Sequence, residues 1–165
     1  MSVFASLVVG ADGSTSKDGN SRGIATGIDR SAFLERRRAV DFLLIGGETA
    51  RTEPYHRTPV PVVVCSRSMI NALSDNRQAY WWNLSPVEAL ERGIKKFGPQ
   101  VLVESGASIL KELIAAKSLD GIYLSITSIT GGDYPIAVED LISNFLSVER
   151  TEIEDTIFIQ AKTLR

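Results

Sequence analysis

Three short segments carry the residue types that could hold or transform a small anionic ligand. The first is Glu104-Ser105-Gly106-Ala107-Ser108, between an apolar run at 101–103 and a helical pattern. Small residues let a ligand approach the backbone there, and the first amides of a helix have no intrahelical partners, so such a turn attracts phosphate. It also reads as a plain glycine turn into a helix. Neither Gly-x-Gly-x-x-Gly nor a Walker sequence occurs, so no standard nucleotide motif applies. The second segment is Ser66-Arg67, which follows another apolar run. A hydroxyl beside a guanidinium suits a phosphate monoester, such as the 2′-phosphate of NADP, and equally an ordinary surface turn. The third is Arg37, four residues after Phe33 and three after Leu34, which helical spacing places on an apolar face. A guanidinium facing inward must meet an anion, either a structural carboxylate or a ligand phosphate at a cleft. Glu104 poses the matching question, ligand or nearby cation. His56 and Cys65 have no evident catalytic partners and read as loop surface and core, and Trp81-Trp82 reads as packing. No residue is assigned as catalytic.

The elements that must position these segments alternate along the chain. Residues 3–9 form a valine-rich apolar run and 41–45 a second, as expected of strands buried on both faces. Between them lies a polar stretch at 10–27, punctuated by Asp12-Gly13, Asp18-Gly19 and Gly23, long enough to be functional. Thr26-Gly27-Ile28-Asp29 looks like a capping box opening a helix to about residue 40. Gly46-Gly47 ends the second run, and 52–61 reads as irregular. Residues 62–65 and 79–82 read as strands, and Ser85-Pro86 opens a helix ending near Phe97-Gly98-Pro99. A strand at 101–103 leads through the Glu104 turn into a helix at 107–116, with Ile109, Leu110, Leu113 and Ile114 as its inward stripe. Alternation marks a strand at 122–127, and the tail at 147–162 reads as two strands around Glu154-Asp155. The pattern implies one α/β domain over 1–165, with a largely parallel sheet closed by an antiparallel hairpin. Ligands of such sheets bind beyond the carboxyl ends of the strands.

Composition narrows the function classes. The 165 residues are 44% hydrophobic and 23% charged with a net charge of −2, a globular balance without a basic footprint for nucleic acid. One cysteine and one histidine exclude a disulfide framework and a multi-Cys or multi-His metal centre. No apolar run approaches the ~20 residues of a membrane span, and no signal peptide is evident, so a cytoplasmic protein is expected.

Together the loops resemble a known family. Asp12-Gly13, Asp18-Gly19-Asn20-Ser21-Arg22-Gly23-Ile24, Arg37 followed by Asp41, the run Gly46-Gly47-Glu48-Thr49-Ala50-Arg51-Thr52-Glu53, Val103-Glu104-Ser105-Gly106, and Leu119-Asp120 through Gly131-Gly132 occur in order over nearly the whole chain. They resemble the reductase domain of riboflavin biosynthesis, a dihydrofolate-reductase-like three-layer domain that uses NADPH. The stand-alone pyrimidine-reductase-like subgroup is similar in carrying Asp-Gly-x-Ser-x-Gly and a Thr-x-Arg-x-Glu segment before a tyrosine, here Tyr55. The resemblance implies that Thr49, Glu53, Ser66, Arg67 and the turn of Ser105, Gly106, Ala107 and Ser108 hold NADPH. It implies that Ser21, Arg37 and Glu104, with Arg57 beside them, face a phosphorylated pyrimidine substrate. The family reaction delivers hydride to C1′ of a ring-opened ribosylamino-pyrimidine 5′-phosphate, and the family tends to form homodimers.

This chain also departs from the family pattern. Ser6 stands where the first strand usually carries lysine, Gly10 where Ser-x-Asp-Gly has serine, and Gly23 where bifunctional enzymes have tryptophan. Ser105 occupies the first glycine position of Glu-Gly-Gly, and Gly121 replaces an acidic residue. Two other readings therefore stand beside the first: a same-fold reductase of another heterocycle, pterin- or folate-like, and a nucleotide-binding protein without turnover.

Overall fold

The computed structural model describes residues 1–165. The apolar runs become strands β1 (Ser2–Val9), β2 (Phe42–Gly46), β3 (Val62–Cys65), β4 (Ala79–Trp82), β5 (Gln100–Val103) and β6 (Gly121–Ile126). The tail folds into β7 (Phe145–Ile153) and β8 (Thr156–Leu164). All eight form one sheet in the order β4-β3-β2-β5-β1-β6-β8-β7. It is parallel from β4 to β6, while β8 runs antiparallel to both of its neighbours. β2 lies inside the sheet and is buried at all five positions, which is why its sequence does not alternate.

Five helices flank the sheet: α1 (Gly27–Arg38), α2 (Gly47–Thr52), α3 (Pro86–Phe97), α4 (Ala107–Ala115) and α5 (Val138–Ile142). Local chemistry sets the starts of α1 and α3. The Thr26 hydroxyl accepts from the Asp29 amide, while Ser85 and Glu88 cap each other reciprocally behind Pro86. One face of the sheet presents Val3, Ala5, Phe42, Leu44, Val63 and Val101, packed with Ala89, Leu90, Leu110 and Leu113 from α3 and α4. The other face presents Leu43, Ile45, Val62, Val64 and Leu102 to Ala50, Tyr55 and Leu73. This is the three-layer, mostly parallel arrangement expected from the sequence, with its closing hairpin.

α1 departs from its expected packing. Leu34 is 37% exposed, and the helix buries Asp29 and Arg37 instead of an apolar stripe. The cause is what lies beneath it. The Arg36 guanidinium sits 4.3 Å over the Tyr123 ring and donates to Ser6 Oγ at 3.4 Å, while Arg37 reaches Glu104 at the end of β5. A polar patch of sheet is met by a polar helix face. α1 also ends at Arg38, before the expected position near residue 40. The short helices α2 and α5 and a 3₁₀ turn at Ser21–Gly23 went unforeseen, because so few residues cannot display a helical period.

One register detail prepares the site. β5 pairs with β1 only from Ser2↔Gln100 to Ala5↔Val103, whereas β6 accompanies β1 as far as Val9↔Ile126. Beyond Ala5 the β5-side edge of β1 is therefore open, forming a slot between the two strands.

Close packing of α3 on β2 makes a test of the core. A Cβ on Gly93 would lie 2.5 Å from Phe42 Cε2 and Cζ, on a ring that is fully buried. Gly93→Ala should therefore destabilise the protein by about 1–3 kcal/mol despite alanine's better helix propensity. Thermal melting should show a Tm several degrees lower; a higher Tm would mean the ring moves aside freely.

Candidate active site

A cleft of about 1530 Å³ opens at the carboxyl ends of β1, β2, β3 and β5. Of the residues singled out by sequence, Ser21, Arg37, Thr49, Glu53, Ser66, Arg67, Glu104, Ser105, Gly106, Ala107 and Ser108 all line it. Arg57 does not. Tyr55 and Thr58 are buried on either side of His56-Arg57, so the intervening pair turns outward, with His56 bonded to Asp75 at 2.8 Å.

At the substrate-facing end the sequence left Arg37 and Glu104 each with two possible partners, and they have found each other. Arg37 Nε donates to Glu104 Oε1 at 2.9 Å and Nη2 donates to Oε2 at 2.7 Å. Tyr55 Oη donates to the same Oε2. The rings of Phe33 and Tyr55 stack against the guanidinium at 4.4 and 4.7 Å. Burial pulls both ions toward neutrality. For Arg37 the two-point contact with Glu104 outweighs burial and holds the guanidinium charged. Burial leaves Glu104 above the usual carboxylate range, against the opposing pull of Arg37. Tyr55 is pushed up by its own burial and by Glu104's charge, so it remains a donor. Nε and Nη2 are the nitrogens that Glu104 takes up, and Arg37 lines the cleft.

Ser21 and Glu53, assigned by resemblance to different ligands, are likewise joined. Glu53 accepts from the Ser21 amide at 2.7 Å and from Ser21 Oγ at 3.1 Å. This contact fastens the loop after β1 to the end of α2. The same loop is held at its base by Asp12, which accepts from Ser14 Oγ at 2.6 Å and from the Gly131 amide at 2.8 Å. These bonds, Ser14's hydroxyl foremost, hold the Asp12 carboxyl down to about 2. Gly13 turns with φ +83° directly against the Ile136 carbonyl, leaving no room for a side chain.

The other end of the cleft carries hydrogen-bond donors that could hold an anion. α4 begins after Gly106, its N-cap residue, without any side-chain cap, so its leading amides keep their donors free. A Cβ on Gly106 would meet nothing within 4 Å, and its φ of −72° is ordinary, so the glycine leaves open space without any backbone strain. Beside it, Ser105 is 5% exposed and its Oγ is a buried side-chain polar atom with no hydrogen-bond partner. A buried hydroxyl left unpaired is costly unless a ligand satisfies it. Across the cleft, Gly47 lets Ser66 close in, since a Cβ there would lie 2.5 Å from Ser66 Oγ. Arg67 beside it is exposed and forms no ion pair. Free helix amides, an unpaired hydroxyl, an unpaired guanidinium and the flat slot along β1 together fit a nicotinamide dinucleotide phosphate.

Sequence reasoning named Tyr55 only as a landmark and missed its role under Glu104. The signal was weak, because the two residues are 49 apart in the chain.

Comparisons with known proteins follow the same lines. The bifunctional diaminohydroxyphosphoribosylaminopyrimidine deaminase/5-amino-6-(5-phosphoribosylamino)uracil reductase of Thermotoga maritima matches 98% of this chain at 16% identity, with a TM-score of 0.66; this chain spans only 56% of that protein. A pyrimidine reductase-like protein of Corynebacterium diphtheriae matches at 14% identity over 99% of this chain and 92% of its own, with a TM-score of 0.66. Dihydrofolate reductase of Enterococcus faecalis, complexed with NADP(H) and RAB-propyl, matches at 18% identity over 98% and 96%, with a TM-score of 0.70. At such identities these structures establish the fold alone. No curated protein matches the chain by sequence. The RibD C-terminal domain model matches residues 1–157, and the chain therefore belongs to that family of reductases.

Proposed function

We propose that the protein is an NADPH-dependent reductase of the riboflavin-biosynthesis type, which transfers hydride to C1′ of a ribosylamino-pyrimidine 5′-phosphate. The observation that carries this reading is Ser105 Oγ, buried without a partner beside the uncapped start of α4 and lining the cleft that the β1–β5 slot enters. The cofactor would supply the hydride; the chain supplies position. Amides of Ser105, Gly106, Ala107 and Ser108 hold the pyrophosphate, Thr49 and Glu53 border the nicotinamide half, and Ser66 with Arg67 reads the 2′-phosphate. Arg37, Glu104, Ser21 and their neighbours meet the substrate. The protein acts as a homodimer in the cytoplasm on this reading.

Turnover of NADPH with the ribosylamino-pyrimidine phosphate is the direct test. Ser6 in place of the family's lysine favours a second reading, a reductase of another small heterocycle. Oxidation of NADPH by a pterin but not by the pyrimidine would select it, and tight NADPH binding with turnover of neither would mark a nucleotide-binding protein.

Titration by nucleotide fluorescence should show NADPH binding more tightly than NADH. Arg67→Ala should shrink that preference by about 10- to 100-fold, the effect of one hydrogen bond to a charged group. Equal affinities in the parent protein would remove Arg67 from the cofactor site. Ser105→Ala should weaken both cofactors about equally, and should raise Tm slightly because it removes an unsatisfied hydroxyl; unchanged cofactor affinity would place the pyrophosphate elsewhere.

Arg37→Lys keeps the charge but loses the two-point contact with Glu104. It should lower stability by about 1–3 kcal/mol and raise KM for the phosphorylated substrate, leaving NADPH affinity nearly unchanged. A lower Tm with unaltered KM would confine Arg37 to holding α1.

A further inference from the structure

Three aromatic residues line the cleft, and two of their rings are in use. Phe33 and Tyr55 stack on the Arg37 guanidinium, and the Tyr55 hydroxyl also serves Glu104. The third, Tyr134, is 80% exposed, and neither another aromatic ring nor a cation packs against it. Its backbone is held as firmly as its ring is free. Thr15 Oγ1 donates to the Tyr134 carbonyl at 2.9 Å. On either side, the Asp133 amide donates to the Ser16 carbonyl at 2.8 Å and the Ile136 amide to the Gly13 carbonyl at 2.9 Å. Tyr134 itself has φ +50°, the left-handed region that glycine adopts freely and a bulky residue rarely enters. Gly131 and Gly132 stand just before it, where a positive φ and the close approach of the Ser16 carbonyl require glycine. A tyrosine in a glycine's conformation, unpacked on a cleft wall, carries a backbone cost that no contact within the fold offsets.

We propose that Tyr134 is a substrate-binding residue whose ring stacks on the flat heterocycle of the substrate and selects it over a bare sugar phosphate. This rests on the reductase reading above. On that reading the cleft takes up three flat rings: adenine, nicotinamide and the substrate's heterocycle. Topology decides which of them Tyr134 meets. Ser66 and Arg67, at the adenosine end, follow β3, whereas Tyr134 lies in the segment after β6, four strands along in the order β3-β2-β5-β1-β6. At about 4.8 Å per strand that is roughly 19 Å, which puts adenine out of reach. The nicotinamide belongs to the slot between β1 and β5, and β1 stands between that slot and β6. Tyr134 is laced through Thr15 to the same stretch after β1 that carries Ser21 to the substrate end. An aromatic face of this kind stacks on a pyrimidine or a pterin alike, because every such ring has a π-face.

The test titrates protein saturated with NADP⁺, which has no hydride to give, so binding is read without turnover. The probes are the ribosylamino-pyrimidine 5′-phosphate and ribose 5-phosphate, which lacks the ring. Tyr134→Gly suits the left-handed backbone and should fold with a Tm equal to or above the parent's. It should weaken the ring-bearing probe about 5- to 100-fold, the range for losing one base–aromatic stack, and leave ribose 5-phosphate within about twofold. Tyr134→Phe should keep the parent's affinity for both. Undiminished affinity of Tyr134→Gly for the ring-bearing probe, or an equal loss for both probes, would overturn the proposal, as would Tyr134→Phe losing as much as Tyr134→Gly. Should the glycine variant not fold, Tyr134→Ala takes its place. A parent that ignores the pyrimidine but takes up dihydrobiopterin would sink the substrate assignment alone, and Tyr134 then stands only if Tyr134→Gly weakens dihydrobiopterin to the same degree. A parent that binds neither heterocycle would overturn both.

Discussion

The buried contact between Arg37 and Glu104 is the constraint on which the cleft depends. Glu104 ends β5 at the middle of the sheet, Arg37 sits in the last turn of α1, and Tyr55 joins them from the segment after α2. One carboxylate thus ties three pieces of chain together. Removing either ion would leave the other buried and unpaired, which typically costs about 3–5 kcal/mol. Such a pair adds little stability over well-packed apolar groups, but it fixes geometry. α1 is held at a set distance over the sheet by charge and hydrogen bonds, and the space beside it stays open.

The same logic explains why the region under α1 is polar inside. Elsewhere the sheet is sealed by leucine, isoleucine and valine from α3, α4 and the segments around Tyr55. Under α1 it presents Ser6, Tyr123, Ser125 and Glu104, met by Asp29, Arg36 and Arg37. Sealing that patch with apolar side chains would have made a firmer core without a site. Open ladder edge along β1, free amides at α4 and a carboxyl from α1 converge there because none of them is used up by the fold.

Much of this was legible in the sequence wherever the signal was local. Thr26 and Ser85-Pro86 marked helix starts, the valine runs marked buried strands, and the small residues from Ser105 to Ser108 marked an open turn. The inward position of Arg37 followed from helical spacing, but its partner did not, since Glu104 lies 67 residues away and pairs only once β5 and α1 are assembled. Ser21 and Glu53 were hidden from each other in the same way by a separation of 32 residues. Asp29 looked like an ordinary acidic residue in a first helical turn, and only the strand below it makes it a buried carboxyl. Leu34 was misplaced because an apolar stripe was assumed where the sheet offers polar partners.

A crystal structure with NADPH bound tests the central claim most directly. The account requires the pyrophosphate against the amides of Ser105 to Ser108, Ser105 Oγ within hydrogen-bonding distance of the cofactor, and the nicotinamide in the slot between β1 and β5. The Arg37–Glu104 pair should remain intact. A cofactor seated away from α4, with Ser105 Oγ still unpaired, would contradict it.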